Sequence, residues 1–542
     1  MKLVIALKRR GHKMETVEKN SKIIFLKNNS EINDQISKIQ DQVNEKIEKE
    51  KTEYNITKLQ PDLIASTDIL TALNNDEDGD AELFICVNKN KLIYDHNSGY
   101  WYVWKNERWQ LDKINQNLVS FDGVIDIYFQ EIESQNTQQI QAVKDGNSDA
   151  EKKTERIKRE LLNRIKKLRK VNRKTNILKL ASSGENSLGI TGEEWDSQHD
   201  MLACENGVFN LKTKDFKKHS PEDYIKTIAP VEFLGLDVPA PEFNKFLNTS
   251  LNNNKELVDF VQRIFGSAIS GSVIEHRIYI FWGENGRNGK GTLLEANKSV
   301  LGPLACPIPS ELLMKQKNSR SSAGAAPDIL NLKGKRIVWA SETEEGRHIN
   351  VSKLKWLSGG DTLTARGIYE KHYTEFVPTH SIFLLTNHKP HIPSNENAMW
   401  QRVLLIPFEL SFVDNPKKSN ERKRDPHLKE KLLKEKSGIL AWLINGYFEY
   451  QRDGLNPPEI ILDQINQYKE DEDSVQTFIK ECCSKDENSI SNSTDLYNAY
   501  KEFCKESDLI IDSHKNFGIK LSEKFLKGNN GKVYYKGISL LI

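Results

Sequence analysis

The stretch IYIFWGENGRNGKGTLLEA, residues 278 to 296, decides the reading of this chain. Ile278 to Trp282 is an apolar run of β-branched and aromatic residues, as a buried strand is. Four glycines then fall within nine residues (Gly283, Gly286, Gly289, Gly291), and helix formers follow. Glycines allow positive φ, so successive N–H groups can turn inward on an anion, and a helix N-terminus adds its positive end to the same spot. Lys290 supplies a full charge for β- and γ-phosphates, and Thr292 a hydroxyl near a metal ion. Two features depart from the usual phosphate loop. Its spacing places a glycine at Glu284, one residue beyond Gly283. Gly291 stands where Ser or Thr normally meets the metal, which leaves that duty to Thr292 or to water. The expected nucleotide-binding residues are Gly283, Gly286, Arg287, Asn288, Gly289, Lys290, Gly291 and Thr292, and the expected cofactors are ATP and Mg²⁺.

The chain has 542 residues, 37% hydrophobic and 29% charged. That length suits about three or four domains. No apolar run approaches a membrane span, and LVIAL (Leu3 to Leu7) is too short for a signal peptide. Six cysteines, at 86, 204, 306, 482, 483 and 504, form no CxxC pair. They suggest neither zinc nor a disulfide framework, so a cytoplasmic location is expected. The net charge is only +1, so any nucleic-acid contact must come from local patches.

Residues 1 to 80 read as a polar, helical N-terminal segment. Ile32, Ile36, Ile39, Val43 and Ile47 recur at helical spacing, as in a short coiled coil or a helix laid on a neighbour. The acidic NNDEDGD, Asn74 to Asp80, reads as a linker. From Ala81, AELFICVNKNKLIYDHNSGYWYVWKNERWQLD suggests short strands and hairpins. Trp101, Trp104 and Trp109 could stack on bases, but the core of a small domain is the favoured role. Glu151 to Lys179 carries thirteen Lys and Arg against three Glu. One face of that helix packs, and the basic remainder is either solvated or a nucleic-acid contact. CENGVFNLKTKDF (204 to 216) reads as a hairpin, and residues 241 to 271 as helical.

After the phosphate loop, a second buried run, Ile337 to Ala340, ends in acids. A strand that delivers a carboxylate beside Mg²⁺ and the attacking water is the other half of a nucleotidase site. In one register Ser341 faces the metal and Glu342 is the base; in another Glu342 serves the metal and Glu344 the water. A third run, SIFLLTNHKP, ends in Asn387, whose amide can orient that water. In a fourth, WQRVLLIPFE, Arg402 just precedes a strand; acting on a neighbour's nucleotide, it requires a ring.

This order, with WLSGGDTLTARGIYEKHYTEFVPTHSIFLLTNHKPHI and MWQRVLLIPFE, resembles the superfamily-3 helicases, and within them the phage and plasmid primase-helicases related to the poxvirus primase-helicase. The resemblance covers residues 81 to 542 and is most specific from 278 to 410. It implies an α/β fold: an AAA+-type core (236–460), an N-terminal α+β accessory domain (81–235) and a C-terminal winged helix (461–542). It also implies a channel hairpin, ARGIYEKHYTEF, with Arg366 at the base and Lys371 and His372 at the tip gripping DNA. The family often carries an upstream primase domain; residues 1 to 80 are too few and too polar for one, so no primer synthesis is expected. The tail reads as three helices followed by a two-stranded wing, with Lys515, Lys520 and Lys524 near phosphates. The expectation is an ATP-driven DNA helicase of a phage, plasmid or other mobile element. It would assemble as a ring, expected to be hexameric, and move 3′ to 5′ on single-stranded or forked DNA, with a separate primase or polymerase as a further partner. The alternatives are an ATP-controlled origin-binding or helicase-loading protein, and a small-molecule kinase, which the absence of a substrate-lid motif disfavours.

Overall fold

The structure, a computed structural model, describes residues 64–316, 324–341, 345–368, 372–507, 509 and 511–541. The Ile32 to Ile47 stripe, Glu342, Glu344 and Lys371 lie outside the described residues. The chain forms two compact units, one from the residues up to Leu83 plus Asp122–Lys174, the other from Phe84–Phe121 plus Thr175 onward.

In the first unit, helix α1 (Ser66–Asn74) is followed by α2 (Asp76–Asn88), which runs on into the second. Then come α3 (Asp122–Lys144) and α4 (Ser148–Leu168). Asn147 caps α4 by accepting from Ala150 N at 3.0 Å, and Leu161, Ile165 and Leu168 form its buried stripe. The acidic stretch expected as a linker is helical instead. Its Asp80 is fully buried and accepts from Arg164 Nη1 at 2.9 Å, Arg173 Nε at 2.9 Å and the Tyr128 hydroxyl at 2.6 Å. Two of the basic residues counted toward a nucleic-acid face are therefore framework. A side chain at Gly79 would come within 2.0 Å of the Ala72 carbonyl oxygen, so α1 and α2 approach backbone to backbone there.

The second unit begins with the end of α2. Glu82 to Val87, expected as strand, is helical, and Phe84 packs on Phe121 with ring centroids 4.5 Å apart. The hairpins follow as expected: β1 (Leu92–Asp95), β2 (Tyr100–Lys105) and β3 (Arg108–Leu111) are antiparallel. Helix α5 (Val171–Ala181) leads to β4 (Gly189–Ile190), which closes the sheet order β3-β2-β1-β4. Trp109 is buried, edge-on to Trp104 at 5.4 Å and to Trp195 at 6.2 Å, which gives this tryptophan the core role. A small antiparallel sheet joins β5 (Met201–Cys204), β6 (Gly207–Asn210) and β7 (Phe216–Lys217).

Helices α6 (Pro241–Ser250) and α7 (Lys255–Ile269) precede the central sheet. That sheet comprises β8 (Ile278–Trp282), β9 (Ala305–Pro307) and β10 (Ile337–Ser341), then β13 (Ser381–Thr386) and β14 (Val403–Pro407). Its order is β14-β8-β13-β10-β9, and every pairing is parallel. Successive residues feed two different cores. Tyr279, Phe281, Ile337, Trp339, Phe383 and Leu385 join one, and Ile278, Ile280, Val338, Ala340, Ile382 and Leu384 the other. Burial on both faces explains why these strands read as unbroken apolar runs.

Helix α8 (Lys290–Leu301) follows β8, and α9 (Val351–Leu357) follows β10. Between α9 and β13 stands an antiparallel hairpin, β11 (Leu363–Ala365) with β12 (Thr374–Phe376). Beyond β14, β15 (Ser411–Val413) pairs with β16 (Glu421–Lys423), followed by α10 (Leu428–Lys434), α11 (Lys436–Asp453) and α12 (Glu459–Asp471). Helices α7 and α11 cross closely, since a Cβ on Gly266 would lie 2.1 Å from the Gly446 carbonyl carbon.

The C-terminal segment holds α13 (Ser474–Cys482), β17 (Cys483–Ser484), β18 (Ile490–Asn492), α14 (Ser493–Glu506) and α15 (His514–Lys524). Strands β19 (Leu526–Asn529) and β20 (Val533–Lys536) form a hairpin, β18 pairs with β20, and β21 (Ser539–Leu540) pairs with β17. Phe478, Leu496, Tyr500, Phe517, Leu521 and Tyr535 make its core. No helix among the described residues is long and apolar enough to cross a membrane.

Candidate active site

Because β8, β10 and β13 run parallel and in register, their C-terminal ends share one edge of the sheet. Thr386 pairs with Trp282, and Ser341 with Leu385. The glycine-rich loop, Ser341 and Asn387 are thereby delivered to the same edge. Positive φ occurs at Gly286 (65°), Arg287 (51°) and Gly289 (87°), so the loop does turn through the conformations that aim N–H groups inward. Gly283 is required for space, since a Cβ there would lie 2.4 Å from the Phe408 carbonyl oxygen.

Asn288 is a brace rather than a free ligand. Its buried amide donates to the carbonyl oxygens of Phe408 and Leu410, both at 3.0 Å. The Ser411 hydroxyl donates to Gly286 O at 3.0 Å, and Phe412 N to Arg287 O at 3.0 Å. The segment after β14 therefore holds the loop from behind. Sequence reading missed that role, because backbone acceptors leave no mark on residue identity.

Lys290 occupies the centre, with only 8% of its surface exposed. Its Nζ donates to Asn387 Oδ1 at 2.9 Å, Gly283 O at 3.0 Å and Asn288 Oδ1 at 3.1 Å. All three acceptors are uncharged. Burial lowers the ammonium's pKa to about 8. Among the described residues its acceptors are all neutral; a desolvated cation so held is incompletely compensated, and a phosphate chain at the loop fits that deficit. Thr292 is half-buried in the first turn of α8, and Ser341 is exposed at the end of β10. Among the described residues no group of three or more His, Cys, Asp or Glu could hold a metal by itself. Of the expected metal ligands that are described, Thr292 and Ser341 could share a Mg²⁺ ion with phosphate oxygens, since this ion is usually held by few protein groups.

Arg402 lies elsewhere. It precedes β14, and its carbonyl accepts from Ile278 N, at 2.7 Å, at the start of β8. The five residues of β14, at about 3.3 Å each, separate it from the loop's edge by roughly 16 Å. Its Nη1 rests 3.4 Å from His276 O and 3.5 Å from Ser358 Oγ, both uncharged and both long. One protomer does not bring Arg402 to its own Lys290.

The β11–β12 hairpin pairs Leu363 with Phe376 at its base and Ala365 with Thr374 at its far end, so Arg366 follows the last paired residue at the loop end and not at the base expected for it. The Arg366 guanidinium carbon lies 5.7 Å from the Tyr373 ring centroid, and His372 is exposed. In the C-terminal segment, Lys520 does not match the phosphate role expected for it. Its Nζ meets Asp512 Oδ2 at 2.9 Å, Asp473 Oδ1 at 3.0 Å and Ser394 Oγ at 2.7 Å. Lys524 donates to Gln476, while Lys515 is exposed.

Comparison with known proteins gives two family matches: "D5 N terminal like" over residues 81–252 and "Poxvirus D5 protein-like" over residues 470–537. The chain is 28% identical over 447 residues to "Putative helicase L207/L206" of Acanthamoeba polyphaga mimivirus, covering 78% of this chain and 45% of that protein. It is 24% identical over 246 residues to "Primase D5" of Fowlpox virus, covering 43% of this chain and 30% of that one. The chain thus spans less than half of either relative. Among solved structures, the apo C-terminal region of NrS-1 aligns over 85% of this chain and 99% of its own, with 10% identity and a TM-score of 0.40.

Proposed function

This chain is a relative of the poxvirus primase-helicase, carrying D5 N-terminal-like and poxvirus D5-like domains, and from that premise we propose that it is an ATP-driven DNA helicase of viral or other mobile-element replication. In this reading residues 236–460 are a superfamily-3, AAA+-type motor, 81–235 an accessory domain and 461–542 a winged helix. The strand order β14-β8-β13-β10-β9, with the phosphate loop after the second strand in that order, supports the motor assignment. So do the helices α13, α14 and α15 with the three-stranded sheet β18-β20-β19 of the tail for a winged helix.

One observation carries the reading: a buried lysine whose acceptors among the described residues are neutral, at one edge of the sheet, opposite a half-buried arginine with weak neutral contacts at the other. Lys290, with the loop amides, binds and orients phosphates. Asn387, freed from Lys290 by an anion, turns its amide to the attacking water. In one register Ser341 serves the metal and Glu342 is the base; in the other Glu342 serves the metal and Glu344 the water. Bound Mg²⁺ supplies charge neutralisation on the phosphate oxygens. Arg402 completes the site of a neighbouring protomer in a ring, expected to be a hexamer, and Arg366, Lys371 and His372 meet the single strand in its channel, which travels 3′ to 5′. The test is strand displacement on a forked duplex with ATP, run beside DNA-stimulated hydrolysis. Unwinding with stimulated hydrolysis is expected. ATP hydrolysis that assembles the protein on DNA without unwinding would replace the helicase by a loading factor.

A further inference from the structure

Residues 387 to 394 leave the Lys290 edge of the sheet and run to the C-terminal helices, with a contact to one end or the other from most of their length. Asn387 accepts from Lys290 at 2.9 Å. The Lys389 ammonium lies 4.8 Å from the ring centroid of Trp282, the residue before Gly283, and 5.3 Å from that of Tyr468 on α12. It also lies 3.5 Å from Asp471 Oδ2. The Tyr468 hydroxyl donates to the Pro390 carbonyl. His391 Nδ1 stands 3.1 Å from Glu472 Oε1, and Ile392 N donates to Glu472 Oε2 at 3.1 Å. Ser394 accepts from Lys520 on α15, which also holds Asp473 and Asp512.

Pro390 and Ile392 are buried while Asn387 and His388 are exposed, so the segment is packed through its middle and open at the Lys290 end. Its first contact is the bond that a phosphate on Lys290 must compete for, and its last is made by a helix of the C-terminal segment. Glu472, in the two-residue joint between α12 and α13, grips it with both carboxylate oxygens. Packed elements of this kind shift as units, because interiors are close to incompressible.

We propose that residues 387–394 form a relay through which occupancy of the Lys290 site sets the position of the C-terminal segment, with Tyr468 and Glu472 as positioning residues. The relay rests on the reading of the Lys290 site as a nucleotide site, and its test separates the two. Hydrogen exchange would be followed by mass spectrometry on the full chain, with and without a non-hydrolysable ATP analogue, for the native protein, Glu472→Gln and Glu472→Ala. In the native protein, exchange is expected to change at 283–292, at 387–394 and also at 514–524. In Glu472→Ala the change at 283–292 persists and that at 514–524 falls at least threefold; Glu472→Gln, which keeps an acceptor, falls between. Should Glu472→Ala fail to fold, Glu472→Gln decides alone. An unaltered response at 514–524 in the variants overturns the relay, as does a native protein that responds at 283–292 but not at 514–524. Silence at 283–292 in the native protein overturns the nucleotide reading and the relay with it.

Discussion

Arg173 in the first unit and Lys290 at the sheet edge are both buried cations, 9% and 8% exposed, yet their surroundings are opposite. Arg173 meets Asp80 and Asp76, and Arg164 meets the same two carboxylates. Burial pulls the Arg173 guanidinium down, but the hydrogen bonds it donates to Asp76 and Asp80 leave it above its ordinary value. Lys520 follows the same pattern, with burial outweighed by Asp512 and Asp473. Lys290 has three neutral oxygens and its pKa falls. A buried cation matched by carboxylates holds the framework together. Burial lowers Arg336 as well, which donates to the His199 carbonyl oxygen at 2.8 Å, so what sets Lys290 apart is its place behind the glycine-rich loop, where the proposed phosphates would sit.

The largest effect that can break this contrast lies at Arg402, a half-buried cation whose contacts are long and to neutral oxygens. Arg402→Ala should bind ATP and lose hydrolysis by about 10³- to 10⁵-fold, the range for an arginine finger. Mixed with Lys290→Ala subunits it should regain measurable turnover, since one interface then carries both intact halves. No rescue in rings shown by native mass spectrometry to be mixed would remove the shared site.

Asp80→Ala comes next. It strands two buried guanidinium groups, and breaking a buried pair costs about 3–5 kcal/mol, read from urea unfolding. Lys290→Met, which removes an uncompensated charge, should leave stability unchanged or raise it. Equal destabilisation by both would erase the distinction between matched and unmatched cations.

At the hairpin, His372→Ala should weaken single-strand binding by about 1–3 kcal/mol for a lost stacking surface. Lys371→Ala should flatten the salt dependence of that binding. Neither should alter hydrolysis without DNA, as a fluorescence-anisotropy titration beside an ATPase assay would reveal.

The smallest effect is one of pH. Lys290 in the free protein loses its proton near pH 8, and bound phosphate favours the charged form, raising that pKa. Below about pH 8 nucleotide affinity should therefore be flat. Above it binding must take up a proton, and affinity should fall by up to about tenfold per pH unit. A flat profile to pH 9.5 would mean that Lys290 is charged without a ligand.

Much of this was legible in the sequence, for identifiable reasons. The strands of the central sheet are buried on both faces, so their apolar runs stood out, and each strand tip carried its polar residue at the boundary of the run. The hairpins from Leu92 to Leu111 were marked by turn chemistry such as HNSG, residues 96 to 99, with Gly99 at φ 73°. The helix at Asp76 was not legible. Its acids resemble a linker until Arg164 and Arg173, some ninety residues later in the chain, are brought against Asp80. Lys520 was misread for the same reason, because Asp473 and Asp512 become its partners only through the tertiary fold. The braces from Phe408 to Phe412 act through backbone groups that every residue possesses.

The central claim is that Lys290, held by neutral oxygens among the described residues, awaits a nucleotide's phosphates. Its most direct test is the rate of ATP hydrolysis, with and without single-stranded DNA, for the native chain and for Lys290→Ala of equal unfolding midpoint. The account predicts DNA-stimulated hydrolysis in the native chain and none above background in the variant. Near-native turnover by folded Lys290→Ala would contradict it.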